Sequence, residues 1–430
     1  MEITLEQIPR GPLPEWILQH AIQQTIDPRP ISEGGPSRIL FIHPSALSRD
    51  KFLNQISSST GIVDRSSHLT LNGLCTKIYA DLREPRMLPD GPSLELAIHS
   101  IMEKKASQLE GSKLFLKNFC SEFKIPSARF QEVKNLSEAS DCIDKFGLPI
   151  VVKSDGLAAG KGVTICNKKE EALNDVKAIF SGKFKSSKKV ILEEFLKGEE
   201  ASYFVITDGE DFLPIGTAQD HKRIFENDVG PNTGGMGAYS PSYLITDDIE
   251  SKIISRIIKP TLAGMKKIGS PFSGILYAGL MINNGDPKLI EYNIRFGDPE
   301  CQILMMRMKS DFLEIVINTI EKNLKNKKIE WYDYPGITIV ASNKGYPGDY
   351  DKSTVIKNLN KIDQNENIQI FHAGTSNVNG EIIAIGGRVL NSTVTNKSLK
   401  IARDEALRAL DKLEWENKYY RRDIGWRVIK

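Results

Sequence analysis

Short stretches of apolar and β-branched residues, separated by glycine-rich and polar segments, predict the strands of the middle of the chain. Residues 148–166 place such stretches on both sides of a loop that holds Gly156, Gly160 and Gly162. This arrangement predicts a strand, a glycine-rich turn and a returning strand. A helix is predicted at 168–180 and a third strand at 190–195, and strands at 202–207 and 213–217 are expected to continue the same sheet.

The flanking regions mix helical and strand periodicity. Residues 109–123 bring Leu114, Phe115, Phe119 and Phe123 to one side with lysines opposite, which predicts a helix. Beyond a glycine-rich loop at 230–241, the pattern predicts a second lobe and then a region rich in strands. The predicted elements are helices at 247–267, 300–309 and 399–412 and strands at 274–282, 288–295, 336–342, 368–374 and 381–390. The fold class is therefore α+β or α/β, with several domains.

The first quarter of the chain differs in composition from the rest. Ten of the 21 prolines and four of the six histidines precede residue 108. Its clearest strand is predicted at 38–42, with helices at 15–24 and 94–105. Residues 1–107 are therefore interpreted as a separate unit.

Composition narrows the classes of function. The 430 residues suffice for about three domains. The chain has 57 basic and 55 acidic residues, and its net charge of +2 does not imply a nucleic-acid partner. The longest apolar stretch, 274–282, is too short to cross a membrane, and the N-terminal residues lack the pattern of a secretory signal, so a cytoplasmic protein is expected. The five cysteines are widely spaced and are interpreted as free thiols.

The loop after Lys153 has the composition of a phosphate site but not the spacing of a P-loop. The segment from Gly156 to Lys161 is one residue too short, Gly162 stands where Ser or Thr would bind magnesium, and a strand follows instead of a helix. Glycines still allow backbone N–H groups to approach a phosphate, and Lys153 and Lys161 add charged donors. The alternative is a plain glycine-rich hairpin.

An acidic segment follows the third strand. Glu193, Glu194 and Phe195 end that strand, and Glu200 lies beyond Gly198. A strand end can offer backbone groups to a purine, and a later carboxylate can accept both hydroxyls of a ribose. The alternative is a solvated acidic surface.

The segment LIEYNIRFGDPE is the most informative. Strand periodicity places Glu291, Asn293 and Arg295 on one face and Ile290, Tyr292 and Ile294 on the apolar face. Two oxygen donors two residues apart suit a hard cation such as Mg²⁺, and the arginine beside them could hold a carboxylate or a phosphoryl group. The alternative is an ordinary alternating surface strand.

A series of segments resembles the ATP-grasp enzymes, and more narrowly the phosphoribosylamine–glycine ligases. In chain order these are Lys113 on its helix, VVKSDGLAAGKGV, ILEEFLKGEEAS, DHKRIFENDVGPNTGGMGAYSP and LIEYNIRFGDPE. The C-terminal segments ASNKGYPGDY, FHAGT, GGRVL and YYRRDIG match the same family. The resemblance implies an atypical N-terminal domain at 1–107, an ATP-grasp domain at 108–325 with lobes at about 125–195 and 196–325, and a β-rich domain at 326–430.

The resemblance also implies roles for individual residues. The ATP phosphates would contact Lys113 and Lys153 under a loop that contains Gly156, Gly160, Lys161 and Gly162. The adenine would be framed by Glu193, Glu194 and Phe195, and the ribose would be bound by Glu200. Mg²⁺ or Mn²⁺ would bind Glu291 and Asn293. The glycine and acyl-phosphate site would comprise Asp220, Lys222, Asn232, Thr233, Gly234, Arg295 and Asp298, with Arg295, Lys153 and Asp298 in catalytic roles.

The implied reaction joins 5-phosphoribosylamine to glycine in purine biosynthesis, with ATP as cofactor, in a monomer without a membrane partner. The family normally opens with a strand and a G-S-G-G-R-E-H turn that cradles the sugar phosphate, whereas this chain has RILFIHPSALSRD. Residues 36–82 also weakly resemble the opening region of helicase–exonuclease subunits. The alternatives are a ligase for another amine and a non-catalytic fusion or interaction protein.

Overall fold

The computed structural model describes residues 107–156, 162–184 and 189–429, together with the backbone of two short strands nearer the N-terminus. The chain divides into two compact units, Met1–Ile101 and Met102–Lys430. In the first unit, strand Phe41–His43 pairs in parallel with strand His68–Thr70. The predicted strand at 38–42 overlaps the first of these, and the helices predicted at 15–24 and 94–105 lie outside the described residues.

The first lobe of the second unit is a four-stranded antiparallel sheet. Its strands, in spatial order, are Phe130–Val133, Val190–Glu194, Ile150–Ser154 and Val163–Cys166. Helices Leu136–Phe146 and Lys169–Phe180 pack on one face and bury every second residue of the inner strands. The opposite face of this sheet is therefore left for other contacts.

A nine-stranded sheet runs from the second lobe into the C-terminal region. In spatial order it contains Asp286–Asn293, Ser273–Asn283, Glu199–Asp208, Phe212–Asp220, Gly237–Ser240, Gly336–Asn343, Arg388–Thr395 and Ile368–His372, and Lys418–Tyr419 also pairs with Gly336–Asn343. The strands predicted at 202–207 and 213–217 belong to this sheet, so the prediction that they continue the first sheet is wrong.

Smaller elements complete the second unit. Two smaller sheets comprise the hairpin Arg223–Phe225 with Val229–Asn232 and the three strands Thr354–Val355, Glu381–Ala384 and Thr375–Val378. The remaining α-helices are Gln108–Gly111, Lys113–Glu122, Asp247–Ile253, Lys259–Lys267, Glu300–Arg307, Phe312–Ile320 and Leu399–Lys412. Short 3₁₀ turns occur at Glu226–Asp228 and Leu359–Lys361. In the described part of the chain, none of the helices combines the length and the apolar composition that a membrane span requires.

Several predicted boundaries are wrong for local physical reasons. Ser112 is extended and its side chain accepts a hydrogen bond from Phe115 N, so the helix predicted at 109–123 is two helices. The helix predicted at 247–267 contains a π-turn, Ile254–Ile258, just before Pro260, which has no N–H to donate. The glycine-rich segment 230–241 contains two strands, and the strand predicted at 381–390 is interrupted at 385–387. The mixed α+β multidomain architecture itself is confirmed.

Candidate active site

The face of the four-stranded sheet opposite helices Leu136–Phe146 and Lys169–Phe180 carries two charged residues. Lys153 lies opposite Ile191, and Val151 lies opposite Glu193, so Lys153 and Glu193 project from the same face. Their strand neighbours Val152 and Leu192 belong to the core under the helices. The alternation of each strand therefore places the two charged groups away from the helices.

A buried three-residue cluster, which we call the lysine–glutamate cluster, lies on this face. Its carboxylate, Glu193, contacts Lys117 Nζ through Oε2 at 3.0 Å and Lys153 Nζ through Oε1 at 2.9 Å. The exposed fractions of Lys117, Lys153 and Glu193 are 2%, 7% and 3%. Burial lowers the pKa of Lys117, and the Glu193 carboxylate opposes this shift. Two ammonium groups share one carboxylate, which leaves a buried surplus of positive charge.

A third lysine extends this positive charge. Lys113 begins its helix, and its Nζ donates to Gly156 O at 2.7 Å. Asp155 anchors the same helix start, because its carboxylate accepts hydrogen bonds from Ser112 Oγ and Leu114 N at 3.1 Å. Burial lowers the pKa of Lys113, opposed chiefly by the carboxylate of Glu291. The helix start and the beginning of the glycine-rich loop thus form one structure.

The glycine-rich loop is described only at its ends. Gly156 has a φ of 86°, a conformation that suits glycine, and Gly162 O accepts a hydrogen bond from Ser154 N at 2.9 Å. Gly160 and Lys161 lie outside the described residues, so their predicted contacts with phosphate remain predictions.

Glu194 points away from the lysine–glutamate cluster. Its carboxylate binds Arg129 Nε at 2.6 Å and Arg129 N at 3.0 Å on the helix-covered side of the sheet. The structure therefore does not bring the Glu194 side chain together with Lys153, and only its main chain remains available for the predicted contact with adenine. Phe195 follows directly after the strand end and is half-buried.

Glu200, predicted to contact the ribose, pairs with Lys222, predicted to line the substrate site. Lys222 Nζ lies 2.6 Å from Glu200 Oε2, and this ammonium holds the pKa of Glu200 below its usual range. Burial acts to lower the pKa of Lys222, but Glu200 and the other acidic groups around it, chiefly Tyr277, Glu291 and Asp220, together raise the pKa well above its usual range. Both groups are therefore charged at neutral pH.

The two predicted metal ligands lie on the edge strand of the nine-stranded sheet. Glu291 pairs with Gly279 and Asn293 with Tyr277 across the neighbouring strand. A bulge at Ile290 interrupts the alternation, so Leu289 and Tyr292 are the core residues, and the prediction that Ile290 faces the core is wrong. Among the described residues, no group of three or more His, Cys, Asp and Glu side chains is placed to hold a metal.

Arg295 lies beyond the strand end at Asn293, which corrects its predicted position on the strand. Its guanidinium donates to Asn293 Oδ1 at 3.2 Å and to Phe296 O at 3.0 Å, and its Nε lies 3.3 Å from Glu110 Oε1. Glu110 also accepts a hydrogen bond from Ile294 N. Arg295 is thus fixed beside the predicted metal ligands by a carboxylate from helix Gln108–Gly111.

The predicted substrate residues meet where a glycine turn folds back on Lys222. Thr233 donates to Lys222 O through both its N and its Oγ1 at 2.8 Å, and Gly234 N donates to Tyr346 OH at 3.0 Å. Asn232 is exposed at the end of the hairpin strand. A Cβ on Gly235 would lie 2.8 Å from Asp220 Oδ1, so glycine is required for this close approach.

Asp220 is an acidic group with a buried oxygen, Oδ1, that lacks a hydrogen-bond partner in the described part of the structure. Burial, reinforced by the buried Glu300 carboxylate, raises the pKa of Asp220 well above its usual range, and burial also raises the pKa of Glu300. An unpaired carboxyl oxygen aimed at the turn could accept a hydrogen bond from an ammonium group.

Sequence reasoning missed several residues that organise this site. Lys117, Glu110 and Asp155 contact predicted residues or the helix start that carries Lys113, and the buried Glu300 carboxylate raises the pKa of the predicted Asp220. Lys117 stands one helical turn after Lys113, which was an available signal. The other three act through contacts between distant segments, for which the sequence offers no local signal.

A buried histidine lies next to Lys222 and Asp220. The His221 ring accepts a hydrogen bond from Gly425 N through Nε2 at 3.1 Å. Burial, together with the nearby Arg421 guanidinium, lowers the pKa of His221 to about 4 from 6.5. Arg421 is itself fully buried and pairs with Asp228 and Asp423 at 2.8 Å.

This shift predicts a pH dependence of stability. The unfolded chain protonates His221 below about pH 6.5, whereas the folded chain resists protonation until about pH 4. The unfolded state binds more protons in this window, so the free energy of unfolding falls as the pH is lowered from 6.5 to 4. Replacing His221 with glutamine should reduce this fall, measured by urea unfolding at pH 7 and pH 5. The exposed His372 is the control: H372Q should keep the wild-type pH dependence, and equal curves for H221Q would contradict the prediction.

Comparisons with known proteins agree with this geometry. Two family models match the chain: the phosphoribosylglycinamide synthetase ATP-grasp (A) domain at residues 111–301 and the C domain of the same enzyme at residues 336–427. Phosphoribosylamine–glycine ligase of Brucella melitensis is 48% identical over 76% of this chain and 77% of its own length. The ligase of Mesorhizobium japonicum is 46% identical over 83% of this chain and 81% of its own length.

Solved structures give the same result. The crystal structure of phosphoribosylamine–glycine ligase from Thermotoga maritima superposes with a TM-score of 0.71, at 29% identity, over 95% of this chain and 97% of that one. A biotin carboxylase domain from Hydrogenobacter thermophilus superposes at 0.62 with 16% identity, over 94% of this chain and 89% of that one, and shares the fold alone. The predicted resemblance is confirmed: the chain belongs to the phosphoribosylamine–glycine ligase family of the ATP-grasp enzymes.

Proposed function

We propose that this chain joins 5-phosphoribosylamine to glycine, with cleavage of ATP to ADP and phosphate, and forms glycinamide ribonucleotide for purine biosynthesis. The observation that carries the proposal is the meeting of three buried or half-buried lysines, Lys113, Lys117 and Lys153, at the sheet face opposite helices Leu136–Phe146 and Lys169–Phe180. Membership of the family supplies the substrates and the product.

The chemistry requires activation of a carboxylate. At neutral pH glycine is a poor acyl donor, because oxide is a poor leaving group, and phosphorylation gives glycyl phosphate, which the amine then attacks. This route requires no covalent nucleophile from the protein. Positioning and charge stabilisation supply the acceleration, as in other phosphoryl transfers.

The nucleotide is proposed to bind against the lysine–glutamate cluster. Lys113 and Lys153 would contact its phosphates, and Phe195 and the main chain of Glu193 would frame the adenine. Glu200 would accept the ribose hydroxyls while it keeps its contact with Lys222, which is possible because a carboxylate has several acceptor sites. The lysines neutralise phosphate charge in a site from which water is largely excluded.

A divalent cation, Mg²⁺ or Mn²⁺, is proposed to bind Glu291 and Asn293. One carboxylate and one amide oxygen on the same strand face fit a hard cation, which commonly takes its remaining ligands from water and phosphate oxygens. When bound, the cation would neutralise charge on the transferred phosphoryl group. Arg295, fixed by Glu110, lies at Asn293 and would stabilise the same group.

The glycine site is proposed at the turn that contains Thr233 and Gly234. Asp220, Lys222, Asn232 and Asp298 complete the set that the family resemblance implies. The unpaired oxygen of Asp220 is the acceptor for the glycine ammonium, and Lys222 offers positive charge to the acyl phosphate.

The proposal includes a monomer in the cytoplasm. All predicted site residues come from this one chain. Sedimentation at micromolar concentration should give a single species near 48.0 kDa.

The deciding experiment is ADP release by the full chain with ATP and glycine, with and without phosphoribosylamine generated in situ. The proposal expects release that depends on both substrates. Release with glycine and a different amine would favour a ligase for another acceptor, and no release with any amine would favour a non-catalytic protein.

Replacing Glu291 with glutamine tests the proposed cation site. The change removes one negative charge and keeps the side-chain shape, so we expect turnover at limiting magnesium to fall about tenfold. E122Q, an exposed acidic residue at the end of helix Lys113–Glu122, is the matched control and should retain wild-type turnover. Unchanged turnover of E291Q across a magnesium titration would contradict the assignment.

A further inference from the structure

Arg388 reaches the glycine turn from the C-terminal region, although the residue was not among those predicted for the site. It begins strand Arg388–Thr395, and its Nη1 donates to Gly234 O at 2.8 Å and to Asp298 O at 2.6 Å. Its Nη2 lies 3.0 Å from Asp298 Oδ2. One guanidinium therefore holds together the turn and the segment after the edge strand.

These contacts leave part of the guanidinium free. Arginine has five N–H donors, of which Arg388 uses two on Nη1 and one on Nη2. The Nε donor and the second Nη2 donor have no partner among the described residues. They lie side by side on one edge of the guanidinium, the arrangement that binds both oxygens of a carboxylate.

Gly234 lets the turn approach the guanidinium closely. A Cβ at this position would lie 2.9 Å from both Cζ and Nη2 of Arg388 and 3.2 Å from Nε, so any larger residue would press against the guanidinium and displace it. The Arg388 side chain is 21% exposed, which makes the edge partly buried but reachable.

An acid lies near this cation. The charge of Arg388 opposes the rise in the pKa of Asp220 that burial and Glu300 cause, which places the two side chains in one electrostatic environment. Asp220 Oδ1 faces the neighbouring glycine of the same turn, Gly235. An unpaired carboxyl oxygen and a free guanidinium edge beside one turn match the two ends of a small amino acid.

We propose that Arg388 binds the carboxylate of the amino-acid substrate through its Nε and Nη2 edge. The proposal rests on the proposed ligase function and assigns this recognition to the C-terminal region. Arg295 differs, because Nε, Nη1 and Nη2 all have partners and it lies beside the predicted metal ligands. Arg388 would bind the carboxylate of glycine, and Arg295 would stabilise the transferred phosphoryl group.

The test compares R388K and R388A with the wild-type chain by steady-state kinetics. Lysine keeps the charge but cannot replace the paired donors, so we expect the KM for glycine to rise about tenfold or more. The KM for ATP should stay within about twofold of wild type, since the lysine–glutamate cluster is untouched. Guanidinium ion at millimolar concentration should partly restore R388A, because it carries the paired donors that alanine lacks. A rise confined to the KM for glycine, with the KM for ATP unchanged, distinguishes carboxylate binding from a merely structural role.

R408A is the matched control, because Arg408 is 67% exposed on helix Leu399–Lys412. It should retain wild-type kinetics and show no response to guanidinium. An unchanged KM for glycine in R388K, or equal losses of glycine and ATP affinity in both variants, would overturn the proposal.

A measurement on the wild-type chain guards against variants that do not fold. Phenylglyoxal modifies accessible arginines, and glycine with a non-hydrolysable ATP analogue should slow modification of Arg388, read by mass spectrometry, but not that of Arg408. Modification of Arg388 at the same rate with and without glycine would overturn the inference. If glycine protects Arg388 but no ADP release occurs with any amine, the proposed function fails while the carboxylate site stands.

Discussion

Replacing Lys153 with alanine is expected to weaken ATP binding about 100-fold while leaving the fold intact. The lysine contributes a charged donor to the proposed phosphate site and little apolar packing. Its removal does not strand a buried charge, because Glu193 keeps its contact with Lys117. The affinity for ATP should therefore fall strongly, while the free energy of unfolding should stay close to that of the wild-type chain.

Calorimetric titration with a non-hydrolysable ATP analogue measures the affinity, and thermal unfolding measures the stability. The control is K134A, since Lys134 is an exposed lysine of the same lobe. If K153A binds the analogue as tightly as wild type, the segment around Gly156 is only a structural hairpin.

Replacing Glu193 with glutamine should have the largest effect on stability of any change described here. Glutamine keeps the shape but leaves Lys117 and Lys153 buried without a counter-charge. Breaking a buried ion pair in this way costs about 3–5 kcal/mol of unfolding free energy. The neighbouring E194Q provides a matched control, because the exposed Arg129 pair of Glu194 should be worth under about 1 kcal/mol.

Urea unfolding at neutral pH measures the free energy of unfolding and distinguishes the large loss expected for E193Q from the small loss expected for E194Q. Adding Lys117→Met to E193Q should recover part of the lost stability, because it removes one of the stranded charges. Equal stabilities of E193Q and E194Q would show that the lysine–glutamate cluster does not contribute as its burial indicates.

Strand periodicity was sufficient to predict part of this site. Runs of apolar and β-branched residues predicted the strands that carry Lys153 and Glu193. Alternation of polar and apolar residues predicted the strand that carries Glu291 and Asn293. It failed at Ile290, where one extra residue in the edge strand shifts the alternation. A bulge depends on the partner strand, and the sequence of one strand does not contain that information.

Contacts between distant segments could not be predicted. Arg388 and Asp298 are 90 positions apart, and their contact depends on how the sheet brings the C-terminal region to the glycine turn. The segment 237–240 was expected to be a loop because of its glycines. It is a fully buried strand, since a strand on each side supplies backbone hydrogen bonds that local propensity does not register.

The nine-stranded sheet crosses the division between the two regions that family models match. Family models treat 111–301 and 336–427 as separate domains. Strand Gly237–Ser240 nevertheless pairs with Gly336–Asn343 on one side and with Phe212–Asp220 on the other, so backbone hydrogen bonds cross the division. A hinge at this point would have to break them. The boundary between the two family models therefore lies within one continuous sheet and is not a mechanical joint.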